Sequence, residues 1–329
     1  GVLSRRILPM TRVKLPAILF VLILAQGAGC SAPPRSLKEG SALAAPHAQN
    51  ANSTAAVVAS RSDSDYAKHV EQLRKRLPSR EFSIVVQRPF VVVGDGPEAS
   101  VKRHAEETVK WAVDLLKKDF FTKDPAEILD IWLFKDGDSY RRHARQLFGS
   151  DPTTPYGYYS SAHKALVMNI ETGGGTLVHE IVHPFIEANF PGCPAWLNEG
   201  LGSLYEQCGE VDGHIRGFTN WRLPNLKRAV RAKKLPTFET LLAMDADAFY
   251  RRDTGDNYAQ SRYLCYYLQE KGLLVRFYRD FHANRQTDPT GYLTLQKVTG
   301  EQDMDAFQRK WEKYVLELDE DFRLSIINP

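Results

Sequence analysis

Apolar positions recur along the chain with two different periods, and the change from one to the other divides it. Helical spacing over 63–77 follows Ser and Asp residues suited to capping. "FSIVVQRPFVVVGDG" (82–96) is rich in β-branched residues and predicts two strands. From Pro97 to Phe121 the apolar residues Val101, Ala105, Val109, Ala112, Leu115 and Leu116 fall on one face of a long helix. "ILDIWLFKD" (128–136) predicts a strand, 139–148 a helix, and "KALVMNI" (164–170) another strand. After Gly173-Gly174-Gly175 the strand pattern nearly vanishes. Helical spacing covers 176–189, 194–208, 221–234, 257–271, 272–283 and 303–318. The alternation predicts an α+β fold of two lobes. One is an α+β lobe with a mixed or mainly antiparallel sheet (63–190), and the other is a mainly helical lobe (191–329). A cleft is expected where they meet.

Composition adds little beyond a sizeable core: 43% of the 329 residues are hydrophobic and 25% charged. Charge excludes one class of partner. Four of the 43 basic residues (Arg5, Arg6, Arg12, Lys14) precede residue 30, where there are no acids, so the rest of the chain is nearly balanced against its 40 acidic residues. That leaves no general electrostatic case for nucleic-acid binding.

The N-terminus has the layout of an export signal. Arg12 and Lys14 follow Met10, the candidate start, and precede an apolar run from Leu15 to Ala25. The run is shorter than the roughly 20 residues of a membrane-spanning helix. Gly27, Ala28 and Gly29 precede Cys30 in a pattern that resembles a bacterial lipobox, with Gly27 where leucine is usual. The resemblance implies removal of residues 1–29, lipidation of Cys30 and, with Ser31 next, attachment to the outer membrane. Simple secretion is the alternative. The Ala-, Ser- and Pro-rich stretch before residue 63 has the composition of a linker. Oxidation outside the cytoplasm could join Cys193 to Cys208, which bracket Glu199. Otherwise these and Cys265 are buried thiols.

The candidate chemistry lies in "TLVHEIVHPFIEANFPGCPAWLNEG" (176–200). On a helix capped by Thr176, His179 and His183 stand one turn apart on one face. Two imidazoles at that spacing can converge on one zinc ion, with Glu180 beside the position of a bound water. A third ligand is required. The HExxHxxGxxH continuation is excluded, because Ile186 and Asn189 occupy its Gly and His positions. Glu199, separated from His183 by fifteen residues and on the next expected helix, can supply it; Glu187 and Glu206 are alternatives. Pro184 lacks the N–H that would bond Glu180 and is expected to kink the helix after His183.

HExxH followed by "WLNEG" resembles the gluzincin zinc peptidases, thermolysin and aminopeptidase N among them. "YAQS" (258–261) falls where aminopeptidase N has a tyrosine-led helix, and the whole is most similar to small bacterial peptidase-MA-like domains. The resemblance covers about 158–271 and implies a zincin-like fold. It implies zinc ligands His179, His183 and Glu199, a general base Glu180, and Glu206 orienting a ligand imidazole. Tyr258 would donate to the oxyanion, although Gln260 and Ser261 replace a Lys-Gly pair of the family. Asn198 would be structural.

The expectation is a zinc-dependent peptidase acting on peptide or protein substrates. An endopeptidase is favoured, since "VMNIETGGG" (167–175) is not the amine-binding motif of aminopeptidase N, although Glu171 lies in a comparable region. The strand 164–170 could pair with an extended substrate. A zinc hydrolase of another amide or ester, and an exported zinc-containing binding protein, are the alternatives; Glu180 speaks against the latter. His214, the tyrosines Tyr156, Tyr158 and Tyr159, and the cluster Lys227, Arg228, Arg231, Lys233 and Lys234 are weaker candidates for substrate contact, more simply read as packing or solvated surface.

Overall fold

Ser62 opens the first helix by exchanging hydrogen bonds with Asp65: the Asp65 amide donates to the serine hydroxyl, and the Asp65 carboxylate accepts from the Ser62 amide. The computed structural model describes residues 61–149, 151–251 and 255–320. The export segment and Cys30 lie outside the described residues.

Helix α1 (Asp63–Arg76) is followed by the hairpin β1 (Ser83–Gln87) and β2 (Phe90–Gly94). A continuous helical run then comprises α2 (Glu98–Arg103), a π-helical segment (His104–Lys110) and α3 (Trp111–Asp119). β3 (Leu129–Phe134), α4 (Gly137–Phe148), β4 (Gly157–Ser160), β5 (Ala165–Asn169) and α5 (Gly174–Asn189) complete the first half. The sheet has the order β1-β2-β3-β5-β4. Its three central strands are parallel and its two outer ones antiparallel to them.

The central strands are buried at every position, which is why they read as unbroken apolar runs. Val91, Val93, Trp132, Phe134 and Val167 meet Tyr66 and Leu73 of α1 and Tyr140 and Ala144 of α4. The alternate residues Phe90, Val92, Ile131, Leu133, Leu166 and Met168 belong to the core that contains Val178, Ile181 and Phe185 of α5. That second core continues into the helical half. There α6 (Ala195–Leu204), α10 (Asp256–Glu270), α11 (Leu274–Asn284) and α13 (Met304–Glu317) contribute Leu197, Leu264, Phe277 and Trp311. Between and around them lie α7 (Leu223–Arg231), α8 (Phe238–Leu242), α9 (Ala246–Arg251) and α12 (Tyr292–Thr299). The α+β expectation holds. Among the described residues no helix is long and apolar enough to cross a membrane.

Four local expectations change. The helix expected over 194–208 stops at Leu204, and a second hairpin follows, β6 (Cys208–Val211) and β7 (His214–Gly217). Its turn uses Asp212 and Gly213, both at positive φ, a favoured two-residue hairpin connection. The strand 164–170 is not an edge: β5 is paired on both sides, and β4 is the outer strand. Gly173, at φ 104°, precedes the first turn of α5 in place of Thr176, and the helix continues through Pro184. Cys193, Cys208 and Cys265 are free thiols. No Cys193–Cys208 bridge is formed; the ten-residue helix α6, about 15 Å long, lies between the two in the chain.

Candidate metal centre

Helix α5 carries the two histidines and α6 carries Glu199, so the site depends on how closely the two helices approach. Two glycines permit it. A Cβ on Gly175 would stand 2.0 Å from the backbone oxygen of Glu206, and one on Gly202 would stand 3.1 Å from His179 Nε2. The first turn of α5 therefore lies on the chain just beyond α6, and the His179 ring lies over Gly202.

The donor atoms converge. The ligating atoms of His179, Glu180 and His183 lie within 4.8 Å of one another. Glu199 Oε2 is 3.3 Å from His179 Nε2 and 3.9 Å from His183 Nε2. Ligands about 2.0–2.1 Å from a tetrahedral zinc ion stand about 3.3–3.4 Å apart, so the first separation matches that spacing and the second is about half an ångström longer. Glu199 Oε2 is also buried without a well-directed hydrogen bond. Its contacts with the two imidazoles are ion-pair contacts without directed hydrogen bonds, and a cation at this point would give the oxygen a directed partner. The residues thus fit a divalent metal; which ion they hold is not fixed by the donor set alone.

A surrounding set of polar groups holds each ligand. Asn198 Oδ1 lies 2.9 Å from His183 Nδ1, which directs Nε2 of that ring into the site. Glu206 Oε1 lies 3.2 Å from His179 Nδ1, an ion-pair contact on the far side of the first histidine and not an aligned hydrogen bond. Glu206 is itself held by Arg222, through two contacts of 2.9 and 2.7 Å, and by Asn220 at 3.1 Å. The Tyr250 hydroxyl donates to the other oxygen of Glu199 at 2.7 Å.

Burial, which would depress the pKa of His179, is overcome by Glu199 and Glu206, and the result is raised to about 10. Burial likewise opposes ionisation of Glu206, but Arg222 and His179 bring it down to about 2. For Glu199 burial is outweighed by His183, His179 and the Tyr250 hydroxyl, again giving about 2. Before a metal arrives, this is an ionised cluster.

The cluster opens on a cavity of about 570 Å³, which Tyr158 and Tyr159 of β4, Glu187 of α5, and Tyr250 and Tyr258 also line. Tyr258 is half-buried. Its ring packs near those of Phe249 and Tyr250, and the Arg222 guanidinium lies over it at 5.3 Å. Glu187 stands apart from the metal group: it is exposed and accepts a hydrogen bond from the Tyr159 hydroxyl at 2.9 Å. Glu206 faces His179 through Nδ1, the nitrogen directed away from Glu199.

Other candidates lie elsewhere. His214 pairs with Asp119 at 2.6 Å in a separate cavity. Glu171 accepts from the Gly137 amide. Lys227 is buried and donates to the Leu318 carbonyl, so the basic cluster of α7 is not one surface. Tyr156 is exposed. Sequence reasoning missed Tyr250, Asn220 and Arg222, whose elements meet the site only through tertiary packing. Asn198 carried a signal, its place beside Glu199, but no means of assigning it to His183.

No protein-family model matches the chain, and comparison with curated proteins finds no match.

Proposed function

We propose that this chain is a zinc-dependent peptidase of the gluzincin kind, exported and held at a membrane through Cys30. The observation that carries the reading is the buried Glu199 oxygen, without a hydrogen bond, opposite the two Nε2 atoms, with Glu180 beside them in an open cavity. A site built for stability alone has no use for a cavity or for a carboxylate outside the ligand set. Resemblance to zinc peptidases in HExxH and "WLNEG" adds the choice of metal and reaction.

His179, His183 and Glu199 would hold the zinc ion, which when bound lowers the pKa of a water and polarises a carbonyl. Asn198 fixes the second imidazole, Glu206 pairs with the first, and Tyr250 fixes the carboxylate. Glu180, on the cavity wall, takes the proton of the attacking water and passes it to the leaving amine. Tyr258, on the same wall, donates to the oxygen on which charge develops. The outer edge of β4 supplies backbone groups along which an extended peptide can lie, which favours cleavage within a chain over cleavage at its end.

The test combines composition with cleavage. The purified protein is expected to hold about one zinc ion per chain and to cleave members of a mixed peptide library, with the cut bonds identified by mass spectrometry. Glu180→Gln should keep the zinc and lose about 10²–10⁴ in turnover. A zinc-loaded protein that cuts no peptide, while hydrolysing another amide or an ester, would replace the peptidase reading with its nearest alternative.

A further inference from the structure

The metal cavity holds one carboxylate more than the proposed chemistry uses. Glu180, Glu187 and Glu199 all line it. Glu199 is taken by the metal and Glu180 by proton transfer. Their two charges balance a divalent ion, so Glu187 remains on the cavity lining with no lysine or arginine partner among the described residues.

Its position is defined on two sides. Glu187 follows His183 by four residues on α5, so it stands just over one helical turn, about 6 Å, along the helix axis from the second histidine. Across from α5, Tyr159 of the edge strand β4 donates its hydroxyl to Glu187 at 2.9 Å. That contact ties the metal helix to the outer strand at the cavity lining. Burial raises the Tyr159 pKa, and Glu187 raises it further, so the hydroxyl remains a donor across the neutral range.

The rest of the lining suits a cation. Among the described residues no lysine or arginine side chain lines the cavity, while Tyr158, Tyr250 and Tyr258 do. Aromatic residues with a carboxylate among them form a favourable environment for an alkyl stem tipped by a charged group. Arg222 stands behind the Tyr258 ring, committed to Glu206, and does not offset Glu187.

We propose that Glu187, held in place by Tyr159, selects substrates carrying a lysine or arginine side chain close to the bond that is cut. The proposal rests on the peptidase reading for the word "cut" and on the cavity alone for the cation. Glu187 is the specificity-determining residue, and Tyr159 is a positioning residue that acts through it.

Two measurements separate the inference from the reading beneath it. In the first, the zinc-loaded full chain digests a mixed peptide library. Lysine and arginine should be enriched roughly 5- to 10-fold at one position near the cut bonds. Glu187→Gln should abolish the enrichment, Glu187→Lys should shift it to aspartate and glutamate, and Tyr159→Phe should weaken it without reversing it. Cleavage with no cationic preference, or a preference unchanged in Glu187→Gln, overturns the inference and leaves the peptidase reading standing. In the second, Glu180→Gln protein binds fluorescent peptides that differ only in lysine, norleucine or glutamate at one position, followed by anisotropy. Preference for lysine that disappears in Glu180→Gln/Glu187→Gln sustains the cation site even if the first measurement finds no cleavage. Equal binding of the three peptides overturns it.

Discussion

Of the described cavities that set a histidine against a buried carboxylate, two differ most clearly in what is left over. In the first, of about 440 Å³ and also lined by residues of α1, His69 Nε2 meets Asp130 Oδ1 at 2.6 Å. That is one short contact between one histidine and one acid, and neither belongs to a convergent metal-ligating group. In the second, His179 stands between Glu199 and Glu206 while His183 faces Glu199 from the other side, and the shared Glu199 oxygen accepts no well-directed hydrogen bond. The difference teaches that a buried His–carboxylate contact is not by itself a site. A single pair closed on itself is structure; two imidazoles that converge on one carboxylate oxygen without a directed hydrogen bond form a geometry that a cation fits.

The largest effect should come from removing one member of each group. Glu199→Ala is expected to lower zinc affinity beyond the 10- to 100-fold typical of groups outside the ligand set. His69→Ala should leave zinc content unchanged and cost stability, about 1–3 kcal/mol, by stranding Asp130. Elemental analysis and denaturant unfolding read the two quantities. Full zinc content in Glu199→Ala would transfer the third ligand to another carboxylate.

The two tyrosines on the cavity wall sharpen the comparison. Tyr258→Phe should reduce kcat by about 10²–10³ with little change in zinc content or KM. Tyr250→Phe instead removes the hydrogen bond to Glu199 and should weaken zinc binding. Near-normal turnover in Tyr258→Phe would leave the oxyanion donor to be sought elsewhere on the wall.

Next in size is Glu206→Gln, which removes the charge that Arg222 holds against His179. Zinc affinity should fall about 10- to 100-fold, measured by competition with a chelator. An unchanged affinity would mean that Glu206 supports the fold and not the metal.

The smallest effect is a proton count. In the metal-free protein the pKa of His179 is raised from its ordinary 6.5 to about 10. The ion-pair stability from that shift is fully present below pH 6.5 and is lost as pH rises through about 10. At pH 7 the ring is therefore protonated, and zinc must displace that proton. Calorimetry in buffers of different ionisation enthalpy should find about one proton released per zinc bound, with affinity rising as pH rises. Binding without proton release at pH 7 would show a neutral His179 before the metal arrives.

How much of this was legible in the sequence depends on the range of the interactions concerned. HExxH was legible because His179 and His183 lie on one helix, where four-residue spacing fixes their relative position. Glu199 was legible because little more than a turn separates α5 from α6. The strands of the buried sheet declared themselves through unbroken apolar runs. The β6–β7 hairpin was misread although Asp212-Gly213 announced its turn, because four-residue strands carry too few positions to establish a period. Pro184 suggested a kink after His183, and α5 continues through it as one helix. Its flanking residues Val182, Phe185 and Ile186 are buried, so packing holds the backbone where one hydrogen bond is missing.

By itself, then, the sequence determined the α+β order of elements, the two histidines and glutamate of α5, and the candidate third ligand on α6. Each follows from contacts within one helix or between neighbours in the chain. Only the tertiary structure decided which strand is the edge and which hydroxyl meets Glu199. It also decided that Arg222 backs Glu206 and that Glu187 meets the Tyr159 hydroxyl at the cavity lining. Those residues are brought together by burial of apolar surface elsewhere on their elements, and the local sequence around a polar group does not record which distant partner that packing will place against it.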